Sequence, residues 1–277
     1  MQQIKTFSDV QNLIGNKKDI MVSTNPFFET LRDPNISEDQ KSLFIPFMLF
    51  FSMACPDVMT SQMMIKKYNN DISDVERMVN AFVSEDNFHY NFYLRDFLTL
   101  GYTWDIFSNP SEVIRHVFSE DGAPVRDLIY KLASFCNLHD DSIVRLTLTE
   151  ILEAGLFDLF TIFYTEVVNI SSKFSGLEYY GDRHVLLEQN HTVTSWFSKN
   201  AEVSAEVSNL VIDPNLVPVV CDTVDSMMTC FDNMYRAFNK IIVERIMITR
   251  GFYNVCGTPP IDKVRTDWED VGVPIKL

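Results

Sequence analysis

Two histidines and a glutamate recur at the spacing of a single helix face in the stretch His184-Val-Leu-Leu-Glu188-Gln-Asn-His191. Positions i, i+4 and i+7 of an α-helix lie within about 60° of one another around the helix axis. Two imidazoles and a carboxylate on one such stripe can bind a single metal ion, and this N/O ligand set suits iron, manganese or zinc. The alternative is that these three side chains lie on a solvated helix face, or that they form hydrogen bonds with other groups of the protein core.

A third histidine, His89, follows two acids in an aromatic-rich stretch. Asp86 lies three residues before it and Glu85 four residues before it, so either acid could share its helix face. Ionisable groups in apolar surroundings need a partner or a metal ion. The alternative is that His89 stacks in the core while the two acids cap the helix or face water.

Two more acids, Glu150 and Glu153, lie three residues apart in a long apolar segment. One of them could be a surface residue while the other points inward. Gly155 follows them, and a glycine inside a helix costs about 1 kcal/mol relative to alanine. We therefore expect a neighbouring helix or a ligand to approach closely at Gly155.

Composition limits the classes of function. The 277 residues include 46% hydrophobic residues, 22 Phe and only 9 Gly, which excludes disorder as the main state. The formal net charge is −15. A field of this sign repels nucleic-acid phosphates and anionic lipid, so neither a nucleic acid nor a membrane is expected as a partner.

Cysteine usage and the N-terminus bear on compartment. The five cysteines form no CxxC pair, which favours reduced thiols in the cytoplasm over a disulfide framework or a zinc ribbon. The N-terminal residues lack the continuous apolar stretch of a secretory signal. The run Leu43–Cys55 has 13 residues, too few to span a bilayer as a helix, and it predicts a buried core helix.

The elements that would position these residues are helical. Pro and Gly are sparse, and strand alternation with tight turns is scarce. A capping box at Ser37-Glu-Asp-Gln40 predicts one helix start. The predicted helices cover about 38–55, 59–69, 73–100, 111–119, 124–136, 140–172, 178–197 and 218–249, followed by an irregular tail at 251–277. This pattern predicts one all-α domain over residues 1–277.

Taken together, the sequence resembles the haem-oxygenase-like di-iron oxidases and oxygenases. Their pattern is an acid and a His on one helix, an acid on a middle helix, and His-x-x-x-acid-x-x-His on a later helix. The resemblance implies three groups of metal ligands: His89 with Asp86 or Glu85; Glu153 or Glu150; and His184, Glu188 and His191. Members of the family often have Asp where this chain has Glu188.

The wider context is similar to a branch that oxidises amino acids and includes nitrile-forming enzymes. The similarity covers about residues 25–200 and includes Phe27-Phe28-Glu-Thr-Leu-Arg-Asp-Pro34 and the aromatic, Met-rich stretch 44–53. It implies a single-domain bundle of seven to eight helices that binds two Fe(II) ions, one of them loosely held. It further implies O2 as co-substrate, an external reductant, and a small amine or amino-acid-like substrate, with a homodimer as one option for assembly.

Arginines are candidates to bind a substrate carboxylate, because guanidinium pairs with it bidentately. They are Arg95, Arg145, Arg183 and Arg245. A surface salt bridge is the alternative for each of them.

Two other functions compete with the di-iron enzyme. One is a metal-independent member of the same architecture, such as a thiaminase-like hydrolase or a cofactor-oxidising enzyme. The other is a helical binding protein in which the histidines and acids are structural. A complete ligand set argues against the first alternative, and iron content after anaerobic reconstitution would separate the di-iron enzyme from both.

Overall fold

The computed structural model describes residues 4–66, 72–100, 110–188 and 207–249. These residues form helices and turns, apart from an isolated β-bridge between Thr6 and Val211. The helices, in chain order, are α1 (Phe7–Thr24), α2 (Pro26–Arg32), α3 (Glu38–Lys41), α4 (Leu49–Val58), α5 (Asp74–Asp86), α6 (His89–Thr99), α7 (Pro110–Val117), α8 (Ala123–Leu138), α9 (Ser142–Phe163), α10 (Asp182–Glu188) and α11 (Val217–Thr249). The all-α prediction is confirmed for the described residues. The predicted tail at 251–277 lies outside them.

Local sequence signals explain several helix starts. Ser37 and Gln40 form the predicted capping box of α3. A second capping box joins Ser73 and Glu76 at the start of α5. Asp141 caps α9 by accepting a hydrogen bond from the Ile143 N–H at 2.8 Å. Each cap satisfies backbone N–H groups that have no partner within the helix.

The predicted core helix at 43–55 is part of a longer helical stretch. A 3₁₀ segment (Ser42–Met48) joins α3 to α4, and a π turn (Met59–Met63) follows α4. Within the described residues, this 26-residue stretch from Glu38 to Met63 is the one helix long and apolar enough to cross a membrane. Its most apolar window is 56% buried in the protein. Length and composition do not separate a membrane span from a core helix, because both pass the same test.

Three predicted helices have different limits in the structure. The prediction of one helix over 73–100 is wrong, because a turn at Asn87 and Phe88 divides it into α5 and α6. The helix predicted over 59–69 is replaced by the π turn Met59–Met63 and by non-helical residues 64–66, and residues 67–69 lie outside the described residues. In place of the predicted 140–172, α9 covers Ser142–Phe163 and a π turn extends it to Val168.

Helix α9 lies at the centre of the bundle. It packs against α11, α5, α1, α2 and α10. At Gly155, a Cβ atom would lie 2.5 Å from the Phe231 ring of α11, and the Tyr235 hydroxyl donates a 2.5 Å hydrogen bond to the Gly155 carbonyl. The predicted close approach at Gly155 is therefore confirmed, and a neighbouring helix makes it.

Candidate functional site

A cavity lies between α4, α5, α6, α9 and α10. Its empty space of about 450 Å³ includes the opening to solvent. Four of the predicted site residues line it: Asp86, His89, Glu153 and His184. Most of the remaining wall is apolar or aromatic and is formed by Phe51, Pro56, Phe82, Leu152, Leu156, Phe160 and Tyr179. The buried Glu153, His89 and His184 and the half-buried Asp86 in such a wall identify this cavity as the candidate functional site.

The turn between α5 and α6 brings Asp86 and His89 together. His89 Nδ1 lies 2.5 Å from Asp86 Oδ1 and 3.3 Å from His184 Nε2. The two imidazole rings are 4.6 Å apart and almost perpendicular. Asp86 and His184 thus contact the same nitrogen atom of His89, and the two histidines are 95 positions apart in the sequence.

Aromatic rings enclose His184, which is 1% exposed. Tyr179 stacks on its imidazole at 4.8 Å, and Phe160 contacts it edge-on at 4.6 Å. The enclosure limits the rotation of His184 and shields its imidazole from water.

The two acids of α9 lie in different environments. Glu153 is buried and lines the cavity, whereas Glu150 is half-buried and accepts a 3.5 Å hydrogen bond from the Gln11 side chain of α1. On α5, Asp86 contacts His89 while Glu85 is exposed. Of each predicted pair, the structure thus places one acid at the cavity and the other away from it.

The other two residues of the predicted triplet, Glu188 and His191, lie at and beyond the end of α10. Glu188 is the last residue of α10, and only its backbone is described. His191 lies outside the described residues. His184 is therefore the only member of the predicted triplet whose side chain the structure places at the cavity.

The donor chemistry of the cavity fits iron, since imidazole and carboxylate are ligands that iron accepts. The described side chains do not, however, form a complete metal site. Among them, no three His, Cys, Asp or Glu side chains lie close enough together to hold a metal ion. Asp86 and His184 both contact the same nitrogen of His89, so a metal ion bound between them would replace these contacts.

Asp96 is a residue that the sequence analysis missed. Its carboxylate is fully buried and accepts hydrogen bonds from the backbone N–H groups of Glu178, Tyr179 and Tyr180 at 2.5, 2.8 and 3.0 Å. Burial raises the pKa of Asp96 to about 6, and the three N–H donors oppose that rise. The signal for it was its position seven residues after His89, on the same face of one helix.

Two further groups of α4 line the cavity. Ser52 is 3% exposed, and its hydroxyl has no hydrogen-bond partner among the described residues. Cys55 is buried beside it, and burial raises the pKa of the thiol well above its usual range. The Cys55 thiol is therefore neutral near pH 7 and a poor nucleophile.

The arginines considered for a substrate carboxylate lie elsewhere. Arg95 pairs with Glu178 at 2.8 Å, and Arg145 pairs with Asp140 at 3.2 Å. Arg183 lies over the Phe92 ring, 5.5 Å from its centroid. None of these three lines the cavity. The side chain of Arg245 lies outside the described part of the chain.

No protein-family model matches the sequence, and no curated protein matches it significantly. The function of this chain is therefore inferred from the residues that line the cavity.

Proposed function

We propose that this chain is a non-haem di-iron oxidase or oxygenase of the haem-oxygenase-like type, which oxidises a small amine or amino-acid-like substrate with O2. One observation carries the proposal. Asp86, His89, Glu153 and His184 come from four different helices and line a single cavity with a largely apolar wall. Burying ionisable groups is costly unless a partner or a metal ion compensates for it.

The residues proposed to hold the two iron ions are Asp86, His89, Glu153 and His184, together with Glu188 and His191. When bound, ferrous iron would supply electrons to O2, and a reductant from outside the chain would restore the ferrous state. Glu153 and Asp86 would contribute negative charge that balances the cations. The walls formed by Phe82, Phe160 and Tyr179 would keep bulk water from the reacting atoms.

Iron binding is the first test, and the chain offers matched control variants. The purified protein is reconstituted with Fe(II) without oxygen, and iron is measured per chain after desalting. We expect Glu153→Gln and Asp86→Asn to lose at least half of the bound iron, because each removes a cavity carboxylate. Glu150→Gln and Glu85→Gln remove the same charge away from the cavity and should retain it. Equal retention by all four variants would contradict the proposal.

Turnover is the second test. The reconstituted protein is given O2, a reductant, and a panel of amines and amino acids, while O2 consumption and product mass are recorded. We expect a substrate-dependent gain of oxygen atoms or loss of hydrogen, which the Glu153→Gln variant abolishes. If the protein binds iron but consumes no O2 in response to any substrate, it is a metal-binding protein and the proposed oxidase activity is refuted.

A metal-independent enzyme of similar architecture is the second candidate. The observation in its favour is that Asp86 and His184 already contact Nδ1 of His89, with no three-ligand cluster among the described side chains. The neutral Cys55 thiol argues against a version that relies on this cysteine as a nucleophile. Failure of the wild-type protein to retain iron would favour this candidate.

A further inference from the structure

The segment that leads into α10 is held by a single carboxylate from another helix. Three consecutive backbone N–H groups, those of residues 178, 179 and 180, all point to Asp96 of α6. A carboxylate bound by several N–H donors is a strong, charge-assisted contact. Since the Asp96 side chain is fully buried, water does not compete for these bonds.

Asp96, which makes this contact, lies on the same face of α6 as His89 of the imidazole pair. His89, Tyr93 and Asp96 are the buried residues of α6 and follow the i, i+4, i+7 spacing of one helix face. Tyr93 fixes this face by donating a 2.7 Å hydrogen bond to the Ile45 carbonyl and by contacting the Tyr179 ring. One face of α6 therefore presents His89 to the cavity and also binds the segment that precedes His184.

The segment itself is tightly folded, so that fixing its backbone also fixes α10. At Gly181, a Cβ atom would lie within 1.9 Å of the Leu177 carbonyl oxygen, which only glycine avoids. The Gly181 carbonyl then accepts the Val185 N–H at 3.1 Å in the first turn of α10. Tyr179, held through its N–H, stacks on His184.

We propose that Asp96 is a positioning residue: by binding the backbone of residues 178–180, it holds His184 and Tyr179 against His89. As a statement about the metal centre, this inference rests on the function proposed above. As a statement about the imidazole pair, it stands independently, because His89 and His184 contact each other directly.

The test compares Asp96→Asn with Asp141→Asn. The Asp96→Asn side chain would turn an NH2 group or a single oxygen toward three N–H donors. Asp141 is the N-cap of α9, where asparagine caps about equally well, so this variant controls for the loss of one charge. In the metal-free proteins, the imidazole resonances of His184 and His89 are followed by NMR. In the presence of Co(II), used as a spectroscopic probe, binding and the visible spectrum are recorded.

We expect Asp96→Asn to shift both imidazole resonances and to lower Co(II) affinity about 10–100-fold, the range for outer partners of metal ligands. Asp141→Asn should change neither. Asp96→Glu retains the carboxylate, so its imidazole resonances and its Co(II) affinity should lie between those of Asp96→Asn and those of the wild type. If Asp96→Asn does not fold, the comparison is made with Asp96→Glu. A purely structural role would lower stability without changing the spectrum of the bound Co(II).

The outcomes separate the two proposals. Unchanged imidazole resonances and unchanged Co(II) affinity in folded Asp96→Asn would overturn the positioning role and leave the metal centre standing. Shifted resonances in a protein whose wild type binds neither Co(II) nor Fe(II) would support the positioning role and overturn the metal centre.

Discussion

Helix α9 has two contrasting faces. On the side of α11, the backbone at Gly155 touches the Phe231 ring, and the Tyr235 hydroxyl binds the Gly155 carbonyl, so the helices meet without space between them. On the other side, Glu153 borders a cavity that is also lined by the half-buried Asp86 and the buried His89 that it contacts. The close-packed face contributes stability, whereas the other face keeps costly polar groups at the wall of a cavity.

The largest effect is expected at the packed face. Gly155→Ala places a Cβ atom 2.5 Å from Phe231 and should lower the free energy of unfolding by about 1–3 kcal/mol through overpacking. Gly15→Ala in α1, where nothing lies within 4 Å of the new Cβ, should raise it by about 0.5–1 kcal/mol. Urea unfolding followed by circular dichroism measures both. If both variants raise the free energy of unfolding, the Phe231 ring moves aside at little cost and the interface at Gly155 is not tightly packed.

The contact between Asp96 and the backbone of residues 178–180, which precede His184, should respond to pH. The pKa of Asp96 is about 6 in the folded protein, above the value of about 3.9 in an unfolded chain. The folded state therefore binds a proton more tightly, and the stability from this group is present below about pH 4 and lost as pH rises through 6. The stability difference between wild type and Asp96→Asn should shrink from pH 4 to pH 7 in urea titrations. A difference independent of pH would refute this assignment.

The hydrogen bond across the packed face should contribute a moderate amount. Tyr235→Phe removes the donor to the Gly155 carbonyl and should cost about 1 kcal/mol of unfolding free energy. Tyr130 is 53% exposed and serves as the control, since Tyr130→Phe should change stability by less than about 0.5 kcal/mol. If the two variants behave alike, the Tyr235 bond does not stabilise the interface.

The smallest effect is expected at the cavity wall. Ser52→Ala removes a buried hydroxyl that has no partner among the described residues, so stability should stay unchanged or rise by up to about 1 kcal/mol. Ser42 is equally buried, and its hydroxyl donates a 2.9 Å hydrogen bond to the Asp39 carbonyl. Ser42→Ala should therefore lower the thermal midpoint. A larger loss for Ser52→Ala would mean that its hydroxyl is satisfied in solution.

Sequence patterns predicted local features better than junctions. The capping box at Ser37 and Gln40 and the close approach at Gly155 depend on neighbouring residues and on the absence of a side chain, and both were predicted. The division of the predicted 73–100 helix at Asn87 and Phe88 was not predicted, because apolar periodicity continues across the turn. That turn sets the contact between Asp86 and His89.

The sequence by itself determined the helical class of the described residues and the set of residues whose chemistry could form a site. Helix-length segments with sparse Gly and Pro leave few other structures, and histidines and acids in apolar segments are conspicuous. Only the tertiary structure decided which acids reach the cavity, that His184 meets His89 across 95 positions, and that Asp96 binds the segment at 178–180. These contacts depend on how helices distant in the sequence pack together. The helical repeat indicates on which face of its helix a residue lies, but it does not determine which residue of another helix it contacts.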